Sequence, residues 1–308
     1  MEAELYKVRS LAHCVKVAYD LFSTNIGSII RRTWRPAAAL SLVDGLFMAL
    51  FYPRLSGFHT ADMASSLPWP QLLAFVAILC ATLACSAWFL ASVLGMLNGR
   101  RLSSNLPRVL RMYLAIAGIG ILFVLAQTLL TIVLMMGAGG KPTPQTPNIV
   151  LALVGVTWII FLVCMLPLVY SSMKYFMEKE MRLRDVFGKS YRKGWRFWGF
   201  LFLMILVTGI IIGVIYVVVM SPQFILFFAS SVNADGGRLG DPSGLPGYFP
   251  VLTFLVTTLC TAVWLYVMVW LEMAFYYAYG HIEAKMAAKA QLSAAPHNAT
   301  TDDFPPIA

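Results

Sequence analysis

The sequence predicts an all-α, polytopic membrane protein with six transmembrane helices, and three observations support this fold class. Hydrophobic residues make up 59% of the 308 residues and charged residues only 12%, which leaves too few polar side chains to cover a soluble domain. The apolar residues are gathered into six runs that are long enough for a helix to cross the hydrocarbon core. The basic residues lie between these runs, mostly on one side of the predicted membrane.

Six segments are predicted to span the membrane, because a helix pairs its own backbone groups when it is surrounded by lipid. They are residues 36–52, 70–97, 112–136, 148–170, 197–220 and 250–279. Residues 1–35 are predicted to form a cytoplasmic amphipathic segment and residues 36–285 the six-helix transmembrane domain. The end of the chain, 286–308, is rich in Ala, Pro and Thr and is predicted to be a disordered cytoplasmic tail.

The distribution of Lys and Arg predicts the orientation of the spans. One side carries 20 of the 23 basic residues, and the other carries only Arg54, Lys141 and Arg238. Positive charge in short loops is retained in the cytoplasm, so both termini are predicted to be cytoplasmic.

Three basic, amphipathic segments, here called elbows, precede the first, third and fifth spans, and each introduces a hairpin of two spans. In the first elbow, apolar residues from Val8 to Ile26 recur at steps of four and three, which is the spacing of one helical face. Residues 102–110 and 182–194 follow a similar pattern. We expect such helices to lie in the membrane plane and the three units to form a weak internal repeat, although basic loops are usual in polytopic proteins.

The basic residues of the elbows and turns are predicted to contact anionic lipid headgroups on the cytoplasmic side. These residues are Arg31, Arg32, Arg35, Arg100, Arg101, Lys189, Arg192, Lys193 and Arg196. The predicted partners are therefore membrane lipids, and protein partners stay open. The net charge of +9 does not indicate a nucleic-acid partner, because the charges lie between apolar runs.

Two acidic residues within the spans are candidates for a polar site, because a carboxyl group inside the hydrocarbon is costly. They are Asp44 in the first span and Glu272 in the sixth, at similar predicted depths, and Gln127 is the third candidate. One interpretation is a proton or cation relay or a polar substrate site. The other is that each carboxyl is protonated or hydrogen-bonded to groups such as those of Ser41 or Gln127 and serves packing.

Residues 167–203, PLVYSSMKYFMEKEMRLRDVFGKSYRKGWRFWGFLFL, resemble the signature of a broad group of bacterial six-span proteins. The features that carry the resemblance are Pro167, Glu178, Ser190, Lys193, Gly194, Trp195, Phe197 and Trp198. The group includes the membrane domain attached to some glycerophosphodiester phosphodiesterases and related inner-membrane proteins. The resemblance covers the last third of the chain, and the first two thirds only in topology. It implies a six-helix membrane domain and no activity.

The sequence contains no conventional catalytic constellation. The four histidines are scattered without metal-ligand spacing, and neither a glycine-rich phosphate loop nor a nucleophile elbow is present. We therefore predict no enzyme, no cofactor and no metal site. The leading hypothesis is an integral bacterial inner-membrane protein that organises or assists at the cytoplasmic lipid surface. The alternative is a transporter or channel-like protein for a small or lipidic substrate that uses Asp44 and Glu272.

Overall fold

The structure, a computed structural model, describes residues 5–55, 69–137, 146–238 and 244–294. Most of these residues are helical, and none of them belongs to a strand. The six long helices are α1 (Leu11–Leu55), α2 (Trp69–Asn98), α3 (Leu102–Gly137), α4 (Thr146–Met177), α7 (Trp198–Arg238) and α8 (Phe249–Ala294). All six are long and apolar enough to cross a membrane, which confirms the predicted fold class.

Three short elements connect α4 to α7. They are α5 (Leu183–Asp185), a π-helix (Val186–Ser190) and α6 (Tyr191–Arg196). The backbone then leaves helical geometry at Phe197, where φ is −110° and ψ is 21°. The elbow predicted before the fifth span is therefore a separate helical segment, and its last helical residue, Arg196, lies two residues after the predicted stop at Gly194.

The structure differs from the prediction at the other two elbows. Residues 11–35 continue without interruption into the first span within α1, and residues 102–110 do the same within α3. The boundary predicted between residues 35 and 36 is consequently not a break in the helix. The last helix also extends to Ala294, so residues 286–294, predicted to be disordered, are helical, while 295–308 lie outside the described residues.

The helices α1 and α8 pack antiparallel along their length. Near the start of the chain, the backbone N–H of Arg9 donates to Nδ1 of His281 over 2.9 Å. Further along, the hydroxyl of Thr261 donates to the carboxyl of Asp44 over 2.6 Å. With 45 and 46 residues, each helix is roughly 67 Å long if straight, about twice the hydrocarbon thickness, so both project beyond it.

The buried core lies where the start of α1, the α2–α3 turn, the end of α4, the elbow and the end of α8 meet. This region, which we call the basic end, holds most of the large buried side chains. Examples are Ile29, Leu94, Met112, Tyr170 and Tyr279. Away from the basic end, α3 and α4 leave large apolar side chains exposed, as expected for surfaces that face lipid.

Burial explains why the first elbow is part of a long helix. Cys14, Ala18 and Ile29 are buried in the same cluster as residues of α8, so small side chains on this face allow close packing. Of the predicted apolar stripe, Val15 and Phe22 pack against this cluster, whereas Tyr19 is 59% and Ile26 43% exposed. The contact with α8 therefore fixes the direction of the N-terminal half of α1.

Candidate functional site

The turn between α2 and α3 positions the first residue of the candidate site, Arg100. Asn98 ends α2, and its side-chain oxygen accepts a 3.0 Å hydrogen bond from the backbone N–H of Arg100. The side-chain amides of Asn98 and Asn105 exchange two further hydrogen bonds, of 3.0 and 3.2 Å. Gly99 adopts the left-handed backbone conformation, with φ of +67°, that commonly ends helices. The turn is thus held by side chains at both ends.

Two arginines bind the carboxyl end of α4. Arg100 donates from Nη1 to the carbonyl of Phe176 over 3.3 Å and from Nη2 to that of Met177 over 2.6 Å. Arg108 donates to the carbonyl of Tyr175, and its guanidinium carbon lies 4.2 Å from the centre of the Tyr175 ring. The last carbonyls of a helix have no N–H partner within the helix and carry partial negative charge. The two guanidinium groups supply hydrogen-bond donors to these carbonyls and neutralise that charge. Arg100, predicted as a lipid contact, is therefore also a structural residue.

A groove of about 350 Å³ lies between α1 and α2 at the basic end. Three of the predicted headgroup residues line it: Arg32 and Arg35 from α1, and Arg100 from the turn. The rest of the described lining is apolar or small and includes Trp88, Ala91, Ser92, Gly95 and Met96. No carboxylate is among these lining residues, so the groove is positively charged.

The groove combines cationic side chains with an apolar wall. Guanidinium groups recognise phosphate oxygens through paired, charge-assisted hydrogen bonds. Arg32 and Arg35 are three residues apart, and side chains at this spacing share a helix face. On α2, Trp88, Ser92 and Met96 follow one another at four-residue spacing and line the groove beside these arginines. Arg31 is also exposed but does not line the groove.

The elbow carries four more of the predicted headgroup residues, and all four are exposed. They are Lys189, Arg192, Lys193 and Arg196. Arg101, at the start of α3, is exposed as well. The structure therefore leaves these five side chains accessible, but it does not gather them into the arginine groove.

The elbow is attached to α4 at the position of a proline. Pro167 has no N–H to donate to the carbonyl four residues earlier, which weakens helical pairing there. The hydroxyl of Tyr191 donates to the neighbouring carbonyl of Cys164 over 2.9 Å, and burial raises the pKa of Tyr191, which keeps the hydroxyl a donor. A Cβ on Gly194 would lie only 2.9 Å from the carbonyl oxygen of Pro167. Two residues of the resemblance, Pro167 and Gly194, thus contact each other.

An ionic cluster that sequence reasoning missed lies between α4 and α8 at the basic end. The ammonium of Lys174 is 2.6 Å from Oε1 of Glu283 and 3.0 Å from Oε1 of Glu178. The hydroxyl of Tyr170 donates to the same oxygen of Glu283 over 2.5 Å. In the sequence these charges follow the ends of two spans, and no local signal indicates that they meet.

The structure does not bring the predicted polar residues Asp44, Glu272 and Gln127 together. Asp44 accepts its hydrogen bond from Thr261, and Glu272 follows Thr261 by eleven residues in α8. At 1.5 Å per residue, this places the two carboxyls roughly 16 Å apart along the helix axis. Gln127 is separate again, because its side-chain oxygen accepts from Thr157 of α4 over 2.6 Å. The three residues therefore do not form one polar site, and each lies at a separate position in the bundle.

The comparisons with known proteins provide no relative for this chain. No family model, no curated protein and no solved structure matches it. Among the residues that the structure describes, no group of three or more His, Cys, Asp or Glu side chains is placed to hold a metal ion. The geometry of the basic end is therefore the basis for assigning a function.

Proposed function

We propose that this chain is a bacterial inner-membrane protein that binds anionic phospholipid at the cytoplasmic surface and organises or assists there without catalysing a reaction. The observation that carries the proposal is the groove that Arg32, Arg35 and Arg100 line together with apolar side chains. A phosphate diester would occupy the guanidinium groups of Arg32 and Arg35, and an acyl chain would lie along Trp88 and Met96.

The charge distribution supports the cytoplasmic assignment. The basic end carries nearly all Lys and Arg residues, and loops of this composition are retained in the cytoplasm. The cytoplasmic leaflet is rich in anionic lipid, and each Lys or Arg near its surface contributes about 1 kcal/mol of attraction. The exposed cations of the elbow, at residues 189–196, would add this general attraction to the specific contact in the groove.

The resemblance of residues 167–203 to bacterial six-span membrane domains supports an accessory role, since that group implies a membrane domain and no activity. The contact between Pro167 and Gly194 gives the resembling residues a structural purpose, which is to attach the elbow to α4. An elbow fixed in this way would present its basic residues to the lipid surface in a constant position.

The experiment is native mass spectrometry of the purified protein titrated with phosphatidylglycerol or phosphatidylcholine. The variant carries Arg32→Gln and Arg35→Gln, and the matched control carries Arg31→Gln and Arg101→Gln. Each variant loses two exposed positive charges, but only the first pair lines the groove. Hydrogen bonds to charged groups contribute about 1.5–3 kcal/mol each, so the groove variant should lose more than about tenfold in affinity for phosphatidylglycerol.

The control should lose much less affinity, because its arginines supply only general attraction. Equal losses in the two variants would show that the groove has no specific role. A wild-type protein that retains phosphatidylcholine as well as phosphatidylglycerol would also overturn the proposal.

A further inference from the structure

A second cavity lies inside the helix bundle, apart from the arginine groove. Its volume is about 250 Å³, and its lining comes from α1, α2, α3 and α8. This volume corresponds to roughly eight water molecules at about 30 Å³ each, which is enough for a small organic molecule. Glu272 is the one charged residue of the described lining.

The carboxyl of Glu272 has no partner among the residues that the structure describes. No ion pair or hydrogen bond joins it to any of them, although the residue is largely covered by protein. Glu272 is one of the residues that line the cavity. The other acidic groups of the bundle are satisfied: Asp44 by Thr261, and Glu283 by Lys174. A carboxyl within a membrane-spanning bundle is costly without a partner, so the cavity beside Glu272 is a candidate ligand site.

The remaining lining favours an organic cation over other ligands. Aromatic side chains of Phe89, Tyr113 and Trp264 line the cavity with Glu272, and aromatic faces attract ammonium groups. A Mg²⁺ or Ca²⁺ ion requires about six to eight oxygen ligands. Besides the carboxyl, the described lining side chains offer only the hydroxyl oxygens of Tyr113 and Ser86, which are too few for such an ion. A phosphate would be repelled by the carboxylate.

We propose that the cavity beside Glu272 binds a small organic cation, in which an ammonium group carries apolar substituents. The ammonium pairs with the carboxylate and lies against the aromatic rings, and the substituents fill the apolar part formed by residues such as Leu90 and Met268. This site shares no lining residue with the arginine groove, so it is independent of phospholipid binding there.

The test uses phenyltrimethylammonium as the probe and tert-butylbenzene as its uncharged counterpart of the same shape. Binding to the full-length protein is measured by equilibrium dialysis in nanodiscs of phosphatidylglycerol, which has no headgroup amine, and binding to empty nanodiscs is subtracted. The wild-type protein should bind the cation at least about tenfold more tightly than the uncharged compound. Equal binding of the two would overturn the proposal, and this comparison does not depend on the folding of any variant.

Variants then locate the site. Glu272→Gln should lower the affinity for the cation by at least about tenfold and leave the uncharged compound unaffected. Asp44→Asn is the matched control, because it removes a carboxylate at another position within the same bundle and should leave cation affinity unchanged. Loss of binding in Asp44→Asn but not in Glu272→Gln would refute the assignment.

The natural ammonium group belongs either to a free amine or to an ethanolamine headgroup, and a second lipid mixture separates these sources. Adding phosphatidylethanolamine to the nanodiscs should displace the probe if the headgroup is the occupant. Undiminished binding of the probe supports a free cation.

Discussion

Lys174 is the centre of the ionic cluster, and its replacement by Met gives a direct measure of what the cluster contributes. Its ammonium lies 2.6 Å from Glu283 and 3.0 Å from Glu178, and its side chain is 11% exposed. Lys174→Met retains an unbranched apolar side chain and removes the charge. The carboxyl of Glu283, which is 20% exposed, then keeps only the hydrogen bond from Tyr170.

The magnitude follows from this partial burial. Breaking a fully buried ion pair by removing one partner costs about 3–5 kcal/mol, because the other charge is left unpaired. Water reaches part of the Glu283 carboxyl, so we expect Lys174→Met to lower the free energy of unfolding by about 2 kcal/mol. Glu178→Gln removes only the ion pair with Lys174, four residues earlier in the chain. Because Glu178 is 45% exposed, we expect this variant to lower the free energy of unfolding by about 0.5 kcal/mol.

Unfolding in mixed micelles with increasing dodecyl sulfate, followed by tryptophan fluorescence, measures both effects. Adding Glu283→Gln completes a double-mutant cycle in which the double variant should be more stable than the sum of the single losses predicts, since both changes remove the same contact. The reasoning is refuted if Lys174→Met costs no more than Glu178→Gln, or if the two losses in the cycle are additive.

Three further predictions concern packing, the elbow and orientation. A Cβ at Gly45 would lie 2.9 Å from the backbone oxygen of Phe254, so Gly45→Ala should lower the free energy of unfolding by about 1–3 kcal/mol. As a control, Gly209→Ala should cost little, because a Cβ there meets no atom within 4 Å. Similar losses in the two variants would contradict the α1–α8 contact. Tyr191→Phe should cost about 1 kcal/mol in the same assay by removing the hydrogen bond to α4, and no change would argue against that bond. In a cysteine-free background, Lys189→Cys should react with an impermeant maleimide only after the cells are permeabilised; labelling in sealed cells would reverse the predicted orientation.

The sequence predicts the elements that depend on length and local composition. The second span, predicted at residues 70–97, corresponds to α2 at Trp69–Asn98, because the thickness of the hydrocarbon limits the apolar run. A helical elbow was also predicted before the fifth span, from an apolar stripe between basic residues, and the structure contains helical segments from Leu183 to Arg196. Of that stripe, Val186 and Ser190 are buried, whereas Phe187 is 37% exposed.

The continuity of α1 was not predictable from its own residues. Its N-terminal half contains the charges and the periodicity of an interfacial helix, and Pro36 stands where a break is plausible. The helix nevertheless continues through Pro36 to Leu55. Its partner α8 extends to Ala294, so the packing of Cys14 and Ala18 in the common core stabilises one long helix.

The sequence by itself determined the six spans, the side on which the positive charge is concentrated, and the residues from which any polar site must be drawn. Only the tertiary structure decided which of these residues meet: Arg32 lines the groove while its neighbour Arg31 does not, and Asp44 binds Thr261 while Glu272 faces a cavity. The physical reason is that transfer into lipid depends on the composition of each segment. Contact between side chains depends instead on the rotation and crossing of packed helices, which are fixed by residues distant in sequence.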